Sequence, residues 1–160
     1  MQFTQSISYP GTVDEVVAMY LTPDYLERRF GRFVVEGSTT VSVEGQRASY
    51  AGTVRPELIP AAAARFVKSD LRVTFTEEWT LNEAEARSRT SVAVDGAPVS
   101  VEATSTLTPS EAGSTREVSG NLSVRVPLLG GRIEKEAVAR VGRLTENEEA
   151  SAAQWLEEHR

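Results

Sequence analysis

The apolar and polar positions of this chain change their period twice. At the start, Phe3, Gln5, Ile7 and Tyr9 alternate with Gln2, Thr4, Ser6 and Ser8, the two-residue period of a strand with one more apolar face. Pro10-Gly11 breaks that pattern. Thr12-Val13-Asp14-Glu15 has capping-box spacing, and Val13, Val16, Val17 and Tyr20 give the following short helix a buried side. Thr22-Pro23-Asp24 opens a second short helix with proline at its tolerated first position. Tyr25, Leu26 and Phe30 anchor that helix, and Gly31 ends it.

From Phe33 to Val126 the period of two returns. Phe33, Val35, Val41 and Val43 share one parity, and Glu44-Gly45-Gln46 reads as a hairpin turn with residues 47–55 as the return strand. Residues 56–68 are the least defined part of the chain, where 60–66 fit either a short helix or a loop across the sheet edge. Leu71, Val73, Phe75, Trp79 and Leu81 then alternate with Arg72, Thr74, Thr76, Glu78 and Thr80, the cleanest strand of all. Residues 87–94, 99–107 and 115–126 follow, separated by turns at Asp95-Gly96-Ala97-Pro98 and around Glu111-Ala112-Gly113. Strands joined by short loops predict an antiparallel meander, whose threonines and serines suit a wet face.

The second change comes at Pro127, after which no proline interrupts the chain to Arg160. Leu129, Ile133, Ala137, Val141, Leu144, Ala152 and Trp155 recur at steps of three and four, with Glu148 in line. That is one face of a helix of some thirty residues, about 45 Å long. The strands supply the surface its stripe requires. Phe75, Trp79, Val101, Ala103, Val118 and Leu122 are expected to look toward Ile133, Ala137, Val141 and Leu144. These residues, with Glu77, are the candidate lining of a cavity between sheet and helix.

Composition narrows the classes of function. The chain reads as a single domain, residues 1–160, with 40% hydrophobic and 25% charged content. Its net charge of −6 and its arginines scattered among acids argue against a nucleic-acid partner, and Arg28-Arg29-Arg32 reads as a solvated helix end ahead of a phosphate site. No apolar run approaches a membrane span, and the start lacks the pattern of a signal peptide, which predicts a cytoplasmic protein. Without cysteine, and with His159 as the one histidine, neither a zinc site nor a Ser–His triad has material, so no metal and no cofactor are expected.

Three stretches carry a resemblance. Residues 9–16 with 21–26, Thr76-Glu77-Glu78-Trp79 on a central strand, and residues 126–134 at the helix entry together resemble the START-like (Bet v 1-like, polyketide-cyclase-like, SRPBCC) superfamily. Within it, the chain looks like a branch known as a domain of unknown function. The resemblance implies an α+β helix-grip fold: a curved antiparallel sheet of about seven strands, in the order β-α-α-β6-α, wrapped around the long C-terminal helix. It also implies a cavity between them, since members bind lipids, sterols, plant hormones or polyketide intermediates and some are cyclases or dehydratases. It carries over no catalytic residues.

Glu77 is the most informative polar position. It shares parity with Phe75 and Trp79, so a regular strand points its carboxylate inward. Such a group must be neutral, paired or turned to a polar cavity, and Arg89 and Arg116 are candidate partners. Three readings stay open: a non-catalytic binder or carrier of a hydrophobic small molecule, placed first; a cyclase- or dehydratase-type enzyme with Glu77 as acid–base; and a cavity-free domain acting through protein contacts, with a homodimer as one form.

Overall fold

The computed structural model describes residues 1–67 and 69–160; Lys68, the end of the least defined segment, lies outside them. Strand β1 (Gln2–Tyr9) is followed by helices α1 (Val13–Tyr20) and α2 (Pro23–Phe30). Strands β2 (Thr40–Glu44) and β3 (Arg47–Thr53), the short helix α3 (Ala61–Ala64) and strands β4 (Arg72–Leu81), β5 (Ala86–Asp95), β6 (Val99–Ser110) and β7 (Gly113–Val124) come next. Helix α4 (Gly130–Glu158) closes the order. All neighbours in the sheet are antiparallel, in the order β1-β7-β6-β5-β4-β3-β2. The meander is therefore sequential from β2 to β7, and β1 closes it by pairing with β7. Helices α1 and α2 carry the chain from one sheet edge to the other, while α4 packs along β1 and β7. This is the expected helix-grip α+β fold.

Local chemistry explains the element ends. Thr12 and Glu15 complete the capping box, the threonine hydroxyl accepting from the Glu15 N–H at 3.2 Å and the Glu15 carboxylate from the Thr12 N–H at 3.1 Å. Gly130, the first residue of α4, must be glycine: a Cβ there would run into the carbonyl oxygen of Val124, so the helix starts pressed against the end of β7. Just before it, Leu128 holds φ at +68°, the one non-glycine positive φ among the described residues, and is fully exposed. An L-residue costs about 1–2 kcal/mol there.

Two expectations need correction and a third needs refinement. Residues 33–43 do not form one strand. Gly31–Phe33 is a 3₁₀ turn, Val34 makes a single bridge to Val54, and Gly37 (φ +82°) with the Ser38 hydroxyl bonded to the Val35 carbonyl turns the chain before β2. The turn breaks the parity, so Val34 is buried and Val35 exposed. Gly31 ends α2 as its C-cap, its N–H bonded to the Glu27 carbonyl. Its backbone is right-handed and leads into the 3₁₀ turn, instead of the left-handed backbone of a usual glycine cap. Finally, Leu144 faces water at 45% exposure. The residues of α4 that meet the sheet advance around the helix from Ile133 to Ala152 and Leu156. Thr145, bonded to Gln5 at 2.7 Å, takes the inward place beside it.

Candidate functional site

The interior has two chemically different regions. One end holds a charged and aromatic cluster. Arg116 on β7 lies flat along the inner face, its Nε donating to Ser105 on β6 at 2.8 Å and its Nη2 to Ser88 on β5 at 3.0 Å and to Glu77 on β4 at 2.7 Å. The two serines bond each other at 2.6 Å and leave the shallow track that the guanidinium needs. Tyr20 and Trp79 cover it, with ring centres 4.9 and 4.8 Å from its central carbon. Thr90 and the Trp79 indole also donate to Glu77, which is 2% exposed.

A second ion pair ties α4 to this cluster. Glu148, the carboxylate lying in the apolar stripe, accepts from Tyr20 at 2.7 Å, Tyr25 at 3.2 Å and the Arg29 Nε at 3.1 Å. Tyr20 also bonds Tyr9, at 2.6 Å. Burial pushes the phenols of Tyr9, Tyr20 and Tyr25 above their ordinary range, and Glu148 adds to the rise. Burial also pushes the Glu77 carboxyl up, but Arg116 and Arg29, with the Thr90 hydrogen bond, outweigh it and leave it below the ordinary carboxylate range. Glu77 is thus a buried, ionised, fully partnered group.

The other end holds a cavity of about 240 Å³. The β3–β4 connection (Leu58, Ile59, Pro60, Ala63, Phe66), the far ends of β4 to β7 and the first turns of α4 (Ile133, Ala137) wall it. Among the described residues every lining side chain is Val, Leu, Ile, Pro, Ala or Phe, and Leu58 and Phe66 stay over 40% exposed at its mouth. Among the described residues no cluster of His, Asp and Glu could hold a metal ion.

Of the eleven residues read from the sequence, Leu122, Ile133 and Ala137 line this cavity. Phe75, Glu77 and Trp79 are buried at the charged end, away from it. Val101, Ala103, Val118 and Val141 are partly buried without lining it, and Leu144 faces out. The structure therefore separates Glu77 from the cavity wall it was expected to mark. Its partner is Arg116; Arg89 is exposed on the other face. Sequence reading passed over the wall from the β3–β4 connection, since residues 56–68 carry no clear period. It also passed over the Tyr20–Tyr25–Arg29–Glu148 clamp, although a carboxylate in an apolar stripe was a signal of the same kind as Glu77.

Residues 4–156 match the model of a family described as a protein of unknown function, DUF2505. The chain belongs to this family. It is 26% identical over 166 residues to uncharacterised proteins of Mycobacterium tuberculosis and Mycobacterium bovis, covering 96% of this chain and 95% of each of them. Among solved structures it resembles Ara h 8.0201, with a TM-score of 0.60 at 11% identity over 99% of this chain and 98% of that one. It also resembles a conserved protein from Geobacillus kaustophilus (TM-score 0.57, 16% identity, 99% and 96% covered). A point mutant of Thalictrum norcoclaurine synthase, in complex with a transition-state analogue, is a third (0.55, 13%, 99% and 95%). The DUF2505 chain thus has the START-like, Bet v 1-like fold.

Proposed function

We propose that the protein binds a small hydrophobic molecule, without chemistry at Glu77, in the cavity between the β3–β4 connection, the sheet and the start of α4. The observation that carries this reading is a cavity of about 240 Å³ whose lining side chains, among the described residues, are all apolar. That volume lies below the roughly 300–1,000 Å³ of drug-sized sites, so the guest is a single acyl chain or a small terpenoid rather than a sterol. With no hydrogen-bonding side chain among the described lining residues, shape selects the guest, and its polar head stays at the mouth. That the norcoclaurine synthase structure holds a transition-state analogue supports guest binding on this fold.

The cyclase or dehydratase reading is weaker for a specific reason. Glu77 is ionised, held by Arg116, Thr90 and Trp79, and buried away from the cavity, so it has no proton to give as a general acid and no contact with a guest to act as a base.

Thermal shift and native mass spectrometry with medium-chain fatty acids and monoterpenoids test the proposal. A guest should raise the melting temperature and appear as an added mass. Ala137→Phe, which fills the cavity, should abolish both while leaving the unliganded protein as stable as before. No shift and no added mass across such a panel would end the reading.

A further inference from the structure

Helix α4 keeps one long face in water, and the charges on it are segregated along its length. In the first half Arg132, Lys135, Arg140 and Arg143 are exposed. The two acids there, Glu134 and Glu136, are half-buried, and Glu134 accepts from the Val124 N–H at 2.8 Å. From Thr145 to Glu158 five glutamates and no cation follow, of which Glu146, Glu157 and Glu158 are exposed. Cations toward the N-terminus and acids toward the C-terminus oppose the helix dipole, and a cation ahead of an acid is the weaker order for a pair within a helix. Among the described residues Arg132, Arg143, Glu146 and Glu157 make no ion pair within the chain. The stability of a lone helix does not account for this pattern.

The pattern has a symmetry. Arg132, Ala139, Arg143, Glu146, Ala150 and Glu157 are all exposed and fall on one line of α4, away from the buried Ala152 and Leu156. Their steps are seven, four, three, four and seven residues, the same read from either end. About the midpoint, between Leu144 and Thr145, each alanine mirrors an alanine and each arginine mirrors a glutamate. A two-fold axis through that midpoint lays α4 of a second copy antiparallel on the first. Arg143 of each copy then faces Glu146 of the other, Arg132 faces Glu157, and Ala139 faces Ala150, the self-complementary surface that a two-fold dimer requires. The alanine layers let the helix axes approach to about 8 Å.

No like charges meet in that register: Lys135 falls opposite Gln154, Arg140 opposite Glu149 and Glu136 opposite Ala153. A parallel pair, by contrast, would set each arginine against its own copy. We infer that the exposed face of α4 is the contact surface of a weak antiparallel homodimer, centred on Arg143 and Glu146. Exposed ion pairs are individually worth little and one helix per copy is a small interface, so the dimer forms at high protein concentration and low salt. The face lies on the side of α4 away from the cavity and owes nothing to a guest.

Sedimentation velocity of the full chain tests this, from about 10 µM to about 1 mM protein, the range of weak association, in about 20 mM and about 500 mM salt. The wild type should pass from monomer to dimer with concentration in low salt and stay monomeric much further in high salt. Arg143→Glu and Glu146→Arg should each weaken self-association about tenfold or more, because like charges then face each other across the axis. Their melting temperatures should stay close to wild type, since both positions are exposed. An equimolar mixture of the two variants should associate again, because opposite charges then meet at both central positions. A wild type that stays monomeric in low salt overturns the inference and leaves the face to another occupant. Single variants that self-associate like wild type overturn it by assigning the dimer to another surface, and a mixture that stays monomeric overturns the register. A dimer with no thermal shift from soluble guests keeps this inference and removes the proposed function; a guest shift in a chain that stays monomeric does the reverse.

Discussion

Arg116 on β7 reaches Glu77 on β4 at 2.7 Å although two strands stand between them. The guanidinium crosses β6 and β5 on the hydroxyls of Ser105 and Ser88, so one side chain links four strands. Both partners are under 4% exposed. A buried pair of this kind adds little over a well-packed apolar core, but removing half of it leaves a charge without a partner.

Glu77→Gln and Arg116→Met should each destabilise the fold by about 3–5 kcal/mol. The double variant should recover a large part of that loss. Urea unfolding of the three variants measures the coupling; additive losses would show that the two side chains act independently.

Glu148→Ala should loosen α4 from α1 and α2. It removes three hydrogen bonds and strands the buried Arg29 charge, a loss of about 3 kcal/mol or more. Hydrogen exchange should rise over the second half of α4 before the β5–β7 core responds. Uniform protection across the molecule would contradict this role for the clamp.

The four tyrosines should ionise only as the protein unfolds. Burial raises the phenols of Tyr9, Tyr20, Tyr25 and Tyr50 above their usual value. A raised folded pKa gives stability that is fully present below the unfolded value of about 10 and is lost as pH rises beyond it. The loss is about 1.4 kcal/mol per phenol per pH unit. Tyrosinate absorbance and unfolding followed together should rise as one transition above about pH 10.

Acid acts through Glu77 with the opposite sign. Its folded pKa is depressed, so its contribution is present above the unfolded value of about 4.3 and falls away as pH drops toward the lower folded value. In the Glu77→Gln variant, the slope of stability against pH below about 4.3 should be shallower than in wild type. Equal slopes would assign the acid sensitivity to other carboxylates.

Gly130→Ala should destabilise by about 1–3 kcal/mol through its clash with the Val124 carbonyl. Gly131→Ala, with open space around it, should be neutral or slightly stabilising by helix propensity. The pair of melting curves separates close packing at the helix entry from the general effect of replacing a helix glycine.

The sequence by itself determined the order of elements, because each rests on a local rule: alternation for β4 to β7, a capping box at Thr12 and Glu15, a proline-free stripe for α4. It also put Glu77 inside, since parity along one strand is local, and it offered Arg116 as a partner. It misjudged Leu144 and residues 33–35 where locality fails. The contact face of a long helix turns as it crosses the sheet, and a turn at Gly37 and Ser38 resets parity. Only the tertiary structure decided that the polar fixture and the cavity are different places. Arg116, Ser105, Ser88 and Glu77 meet across four strands, and Arg29 and Glu148 meet across 119 residues of chain. Together they fill one end of the interior. The cavity is left at the other, where an aperiodic segment that sequence could not read supplies six of the eighteen described lining residues.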